Sequence, residues 1–468
     1  MVSPLRVNEF ARELCHHPDP ARARFVLDGI RHGFRTGFQS ERVVLRSATG
    51  NMKSALEHPE VIDQYLANEV ANRRVAGPFS SPPIPFLHCS PFGVIPKKNQ
   101  PGKWRLILDL SSPESYSVNA GIPKEPFSLR YISVDTAIRV LMELGPGALM
   151  AKFDVACAYR NIPIHADDRY LLGMRWRNRY YIDLTLPFGL RSAPFIFDSV
   201  ACMVEWTLRN RYNVRFIFHY LDDFLTLAPA NSLECAANVE IARTIFHRFG
   251  LPLNPSKCEG PTPRLVFLGI ELESVAQLAR LPEAKFSATQ ALLLHWQSKR
   301  WCSRTELESL IATLHHVCKV IPPGRSFLRR MIDLLCAFRS PHHPIRLNVE
   351  FRSDLAWWIE FFGSWDGVSF FRMPSSLTCS SHPTLPELRV LARSGRTPGS
   401  RKVGRWGSSL RPLPCWNSSP SWLLLICGAI AGLRDQCSSY ATTQPWWTSS
   451  TQDLRAIERP CISCAVSH

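Results

Sequence analysis

Residues 214–227 read Val-Arg-Phe-Ile-Phe-His-Tyr-Leu-Asp-Asp-Phe-Leu-Thr-Leu, so two short aromatic and branched runs meet at a pair of adjacent carboxylates, Asp222 and Asp223. Runs of that length and composition predict two strands, with Tyr220 to Asp223 as the hairpin turn between them. Taken alone, the pair is more often a solvated turn than a site, because Asp readily accepts its neighbours' amides there.

A second acidic position changes the balance. Asp154 sits in Leu-Met-Ala-Lys-Phe-Asp-Val-Ala-Cys-Ala-Tyr, at the edge of another apolar, strand-like run. A carboxylate in such a place must be paired, hydrogen-bonded or bound to metal, since an isolated buried charge costs several kcal/mol or is neutralised. Three acids brought together repel one another unless a divalent cation lies between them. Hard oxygen ligands without clustered His or Cys select Mg²⁺ or Mn²⁺ over zinc. Two such ions about 4 Å apart serve in-line phosphoryl transfer, one activating the attacking oxygen and one stabilising the leaving oxygen.

Several ordered motifs then carry a resemblance. Tyr-Leu-Asp-Asp at 220–223, Lys-Phe-Asp at 152–154 and Leu-Pro-Phe-Gly-Leu-Arg-Ser-Ala-Pro at 186–194 resemble the reverse transcriptases of retroelements. Ser-Pro-Phe-Gly-Val-Ile-Pro-Lys-Lys at 90–98 and Arg-Asn-Ile-Pro-Ile-His at 160–165 look most like the DIRS-type branch, whose members carry a tyrosine recombinase. The resemblance covers roughly residues 20–370 and implies an α+β right-hand polymerase: fingers, palm and thumb, with an antiparallel palm sheet. The expected spans are an N-terminal helical extension at 1–75, fingers at 76–150, palm at 151–275 and thumb at 276–345. The start of a connection or ribonuclease H region is expected at 346–371, and a disordered tail at 372–468.

The resemblance also implies roles. Asp154, Asp222 and Asp223 would hold two Mg²⁺ ions, or Mn²⁺, and Lys257 would protonate the leaving pyrophosphate, a general-acid task. Lys97 or Lys98, with Arg105, would bind the triphosphate of the incoming deoxynucleotide, where the arginine fork suits paired phosphate contacts. Tyr159 would lie under the sugar and crowd a 2′-hydroxyl, the group that separates RNA from DNA precursors. Phe188 and Gly189 would pack beside the template base and the nucleotide. Many family members carry Gln at the Phe188 position, so a side-chain hydrogen bond is not expected there. Phe267-Leu268-Gly269 resembles the hairpin that grips the primer end. Each feature has a plain structural reading beside it: Tyr159 as core aromatic, Lys257 as surface lysine, the 96–109 hairpin tip as a solvated basic face.

Charge agrees with a polyanion partner. Lys and Arg number 55 against 39 acids, a formal net charge of +16. That suits nucleic acid or a membrane surface; the resemblance specifies an RNA template, a DNA primer or RNA–DNA hybrid, and deoxynucleoside triphosphates. The basic segments between 299 and 330 look like a thumb that holds duplex through its backbone. The longest apolar run, Trp422 to Ala431, is about half of a membrane span, and no apolar signal region opens the chain, so an intracellular protein without membrane partners is expected. The 15 scattered cysteines argue against a disulfide framework, and Cys461-x-x-Cys464 lacks a second ligand pair for zinc.

Local signals fill in the elements. Ile62, Leu66 and Val70 predict a helix stopped by Gly77-Pro78, and residues 96–109 predict a hairpin with a basic tip. Ile196, Val200, Met203 and Val204 form one helical stripe behind Pro194. Asn231 and Glu234 have capping-box spacing at the head of a helix expected to end near Phe249, with Gly250 as its stop.

The pattern breaks after about Phe371. Residues 372–468 hold only four acids, Glu387, Asp435, Asp453 and Glu458, whereas a ribonuclease H site needs several clustered carboxylates. Back-translating Trp416 to Gly432 from the third base of each codon permits Glu-Leu-Phe-Pro-Leu-Val-Val, and Gln436 to Ser450 permits Val-Leu-Ile-Val-Cys-Asp-Asn. Both resemble ribonuclease H segments, so the tail is expected to be a frameshifted or mis-spliced reading. An active polymerase therefore has two rivals: a catalytically inactive nucleic-acid-binding relic, and ribonuclease H by family association alone.

Overall fold

The computed structural model describes residues 3–46, 50–97, 102–129, 131–338, 340 and 343–371. Its centre is a four-stranded antiparallel sheet in the order Phe216–Tyr220, Asp223–Ala228, Leu149–Asp154, Glu259–Thr262. The predicted strand–turn–strand around the acid pair is there, and its second strand lies against the one that ends in Asp154.

Side-chain alternation along these strands decides what each face does. Phe153 and Phe224 are cross-strand partners and point to the face covered by helices Ala193–Arg211 and Glu234–Phe249. There Phe224 meets Phe246 edge-to-face at 4.9 Å, and Phe153 lies 6.2 Å from the same ring. Met150, Leu225 and Leu227 point the other way, into a second core shared with the C-terminal helices. Asp154 and Asp223 have the parity of this second set, so they leave the helix-covered face and emerge together where the second core ends.

The N-terminal part adds helices Pro20–His32 and Pro59–Ala71 and a three-stranded sheet ordered Val75–Phe79, Arg179–Asp183, Gly173–Trp176. Ile62 and Leu66 are buried as the helical spacing predicts. The stop differs: the helix ends at Ala71 and Arg73 takes a left-handed φ of +57°, while Gly77-Pro78 lies inside the following strand. The 96–109 hairpin forms from strands Phe92–Pro96 and Trp104–Leu108.

Helix Ala193–Arg211 buries Ile196, Val200, Met203 and Val204 as one stripe and carries its proline in the first turn. Helix Glu234–Phe249 ends at a left-handed Gly250, as expected, but its start does not use the Asn231–Glu234 capping box. Leu233 is the N-cap, without a side-chain cap, and Asn231 takes φ +55° in the preceding turn. The left-handed turn overrides the spacing.

Strands Arg264–Phe267, Ile270–Glu273, Leu278–Arg280 and Val368–Phe370 make a further antiparallel sheet. Helices Glu283–Ser298, Arg304–Val317, Arg329–Cys336 and Val349–Ser364 pack beside it around Trp358, which is fully buried. Residues 346–371 therefore share one core with 276–345. Among the described residues none of the nine cysteines forms a disulfide, and no helix is long and apolar enough to cross a membrane. The tail at 372–468, with its expected frameshift, and Cys461 and Cys464 lie outside the described residues.

Candidate active site

Tyr220 pairs with Asp223, leaving Leu221 and Asp222 as a two-residue turn. Leu221 takes a left-handed φ of +53°, a conformation that costs a non-glycine residue on the order of 1–3 kcal/mol and persists only where the surroundings enforce it. Packing of Leu221 against the main core enforces it here. Two backbone bonds fix the acids' frame: Val155 N–H donates to the Asp222 carbonyl at 3.0 Å, and Asn254 N–H donates to the Asp154 carbonyl at 2.8 Å.

Asp154 and Asp223 stand opposite each other in the ladder. Directly opposed side chains on one face of such a pair approach to about 5 Å at their Cβ atoms. The electrostatics register this crowding. Burial raises the Asp223 carboxyl to about 6, and the charges of Asp222 and Asp154 push the same way. Asp222 is raised by burial as well, with Asp154 adding to it. The compensating charge is Lys257, whose ammonium donates to Asp154 Oδ2 at 2.9 Å. That hydrogen bond, reinforced by the charge of Asp154, raises the Lys257 pKa and keeps it protonated. With Lys257 on Asp154, the three acids do not draw their oxygens within 4.8 Å of one another, a spacing that another trio does reach among the described residues.

Lys152, Asp154, Asp223, Ser256, Lys257 and the turn from Val266 to Gly269 line a cleft of about 480 Å³. Its far wall is the tight hairpin Phe267–Ile270, whose central residues take φ +47° and +74°, as a type I′ turn requires. Gly269 suits that left-handed φ, whereas the atom nearest to an added Cβ, Lys285 Nζ, is the end of a flexible side chain that could move aside. The Gly269 carbonyl accepts from Lys285 Nζ at 3.2 Å and lies 3.3 Å from His316 Nε2. Burial, with Lys285 and Lys319 nearby, lowers His316 to about 4.

Tyr159 follows Asp154 by one short turn and packs between Phe188, at 5.1 Å, and Phe197, at 5.7 Å. Burial, then the neighbouring Tyr131 and Asp222, raise its phenol above the ordinary range, which sets the ring beside the acid turn. Phe188 is 60% exposed, an unusual position for so large a ring. Gly189 has φ +91° and accepts from Asn119 Nδ2 at 2.8 Å, while Asn119 Oδ1 accepts the Arg191 amide at 2.8 Å. Asn119, which the motifs did not single out, thus holds the turn that presents Phe188 and Gly189.

Arg105 and Lys97 are exposed on the separate two-stranded hairpin and make no ion pair among the described residues. Neither reaches the acids or lines the cleft. Lys98 lies outside the described residues. The oxygen-only donor set at Asp154, Asp222 and Asp223, with the carboxyls of Asp222 and Asp223 raised, fits hard divalent cations and is poorly suited to softer metals.

Two other groupings escaped the sequence. Arg160 is nearly fully buried and bridges Glu69 Oε2 and Asp183 Oδ1, each at 2.6 Å. His219 lies between Glu205 and Asp198 with Cys202 alongside. Arg160 and Glu69 alone stand 91 positions apart, so no local period announces the contact.

Comparison with known proteins agrees with this geometry. Residues 95–272 match the family model described as reverse transcriptase (RNA-dependent DNA polymerase). The Gag-Pro-Pol polyprotein of Human T-cell leukemia virus 3 is 25% identical over 263 residues, covering 54% of this chain and 17% of the polyprotein. The transposon Tf2-3 polyprotein of Schizosaccharomyces pombe is 21% identical over 252 residues, covering 53% of this chain and 17% of that protein. The chain thus spans a small fraction of these relatives' length. The foamy viral protease-reverse transcriptase in complex with RNA/DNA hybrid superposes with a TM-score of 0.54 at 16% identity, over 77% of this chain and 46% of that one. Its counterpart in complex with double-stranded DNA gives 0.51 at 18% identity, over 76% and 60%. Over residues 95–272 the chain is thus similar to the reverse transcriptase family, and it has the polymerase fold of the solved reverse transcriptases.

Proposed function

We propose that this protein copies an RNA template into DNA by adding deoxynucleotides to a primer 3′-hydroxyl, as the reverse transcriptase of a DIRS-type retrotransposon. The observation that carries the reading is the ladder pairing of Asp154 with Asp223, next to the strained turn that holds Asp222. Asp154, Asp222 and Asp223 would hold two Mg²⁺ ions, or Mn²⁺. When bound, these ions supply activation of the attacking oxygen and stabilisation of the leaving one.

The chain's own residues do the rest. Lys257 carries its proton on the rim of the cleft, where a leaving pyrophosphate needs one. Tyr159 closes the space beneath the sugar and disfavours a 2′-hydroxyl. Phe188 and Gly189 present a flat ring and bare backbone to the nascent base pair. Arg105, with Lys97 or Lys98, meets the triphosphate when the 92–108 hairpin folds toward the palm, and no ion pair among the described residues occupies its donors. The Phe267–Ile270 turn holds the primer end, and the basic C-terminal helices grip the duplex backbone.

In domain terms we propose a helical extension at 1–75, fingers at 76–150, palm at 151–275 and thumb at 276–345, with a connection or ribonuclease H region beginning at 346–371. The DIRS assignment is supported by the motifs at 90–98 and 160–165. Sequencing the locus tests it: a tyrosine recombinase reading frame beside this one supports it, and an integrase frame of another type overturns it. The same nucleotide sequence tests the frameshifted ribonuclease H tail.

The reaction is tested with the purified chain, poly(rA)·oligo(dT), dTTP and Mg²⁺, with primer extension expected. The four-acid tail favours one rival, an inactive relic that retains binding. Salt-sensitive binding without extension at any Mg²⁺ or Mn²⁺ concentration would establish that rival.

A further inference from the structure

The face of the palm sheet away from the cleft carries a second constellation that polymerisation does not use. Asp198 and Cys202 lie one helical turn apart on Ala193–Arg211, and His219 projects toward them from strand Phe216–Tyr220. We propose that Asp198, Cys202 and His219 form a binding site for a zinc-class divalent ion, one that braces the acid-bearing hairpin against the helix beneath it.

The distances are those of such a site. His219 Nε2 lies 3.3 Å from Asp198 Oδ1 and 3.8 Å from Cys202 Sγ, and Sγ lies 3.6 Å from Asp198 Oδ2. Around a tetrahedral ion, with bonds of about 2.0 Å to N and O and about 2.3 Å to S, ligand edges come to roughly 3.3 Å for N to O and roughly 3.5 Å for the pairs with sulfur. The mixture of imidazole, thiolate and carboxylate selects zinc or cobalt over magnesium. Three protein ligands leave a fourth position for water; Asp198 and Cys202 are partly accessible, and His219 is buried behind them.

The surroundings supply what a bound ion needs. Glu205 Oε2 lies 2.5 Å from His219 Nδ1, the carboxylate–histidine arrangement that fixes the tautomer and directs the Nε2 lone pair at a metal. Arg209 in turn holds Glu205 at 2.7 Å, and Arg22 donates to Cys202 Sγ at 3.1 Å. His219 also stacks on Phe224, 5.3 Å away, so its ring plane is set by packing as well. Because His219 immediately precedes Tyr220, an ion here would tie the start of the Tyr220–Asp223 turn to the helix. The competing occupant is a proton on Nε2, shared with Asp198.

The test uses the full chain, stripped with chelator and titrated with Co²⁺ and then Zn²⁺. One equivalent of Co²⁺ is expected to give a near-ultraviolet thiolate-to-cobalt band that Zn²⁺ abolishes. Oxygen-only sites at the palm acids cannot produce that band. Cys202→Ser is expected to lose it, and Glu205→Gln to keep it while weakening Zn²⁺ affinity by about 10–100-fold. Cys461→Ser with Cys464→Ser should change neither. No band in the wild-type chain, or a band that survives Cys202→Ser, overturns the site in favour of a simple imidazolium between two carboxylates or of sulfur elsewhere. If Cys202→Ser fails to fold, Glu205→Gln decides: unchanged affinity overturns the proposal.

Discussion

Asp223 is a charge the fold holds at a cost. Its carboxyl titrates near 6 in the folded chain against 3.8 unfolded, because burial and two neighbouring aspartates oppose ionisation. Folding binds this proton more tightly, so ionised Asp223 costs stability as pH rises through about 6, and costs nothing below 3.8. Asp223→Asn should therefore stabilise the metal-free protein at pH 7–8, by about 1 kcal/mol once partial exposure is allowed for. Thermal melts in chelator at pH 7.5 and pH 4 check this, with the gain confined to the higher pH. Such a trade is expected where a site is arranged for a ligand rather than for stability. Lys257 belongs to the same arrangement: its ammonium offsets one acid until a stronger cation arrives.

The strands and helices impose their own demands. Arg160 ties helix Pro59–Ala71, through Glu69, and strand Arg179–Asp183, through Asp183, to the short turn that follows Asp154. Removing the cation would leave Asp183 buried without its charged partner and Glu69 with only Arg74, 3.4 Å away, so Arg160→Leu should cost about 3–5 kcal/mol, read as a shift in the urea midpoint. At the other wall of the cleft, burial and the Lys285 and Lys319 ammoniums hold His316 neutral, against a hydrogen bond to the Gly269 carbonyl that favours the charged ring. Its pKa of about 4 lies below the 6.5 of the unfolded state, so the neutral ring costs nothing above 6.5 and stability is lost as pH falls toward 4. Stability should drop on the order of 1–2 kcal/mol across that window, and His316→Gln should flatten the drop, as parallel melts at pH 7 and pH 5 would measure.

Across the whole chain, what could be read from sequence was what neighbouring residues encode. The Asp222–Asp223 turn, the strand to Asp154, the Ile196 to Val204 stripe and the Gly250 stop each announce themselves within a dozen positions, and each is present. The Asn231–Glu234 cap failed because three-residue spacing says nothing about the left-handed turn at Asn231 that starts the helix at Glu234. The Arg160 network, the Asn119 brace and the Asp198, Cys202 and His219 cluster were illegible for a different reason: their contacts exist only after sheets and helices have packed. The catalytic reading joins both kinds of information, since Asp154 and Asp223 are recognisable singly but meet only in the ladder, with Asp222 in the adjoining turn. Single-nucleotide incorporation on a primed RNA template, comparing the wild-type chain with Asp222→Asn at equal template–primer occupancy, addresses it most directly. Incorporation by the wild type and none above background by Asp222→Asn, with template–primer binding unchanged, is the predicted result; full incorporation by the variant would contradict it.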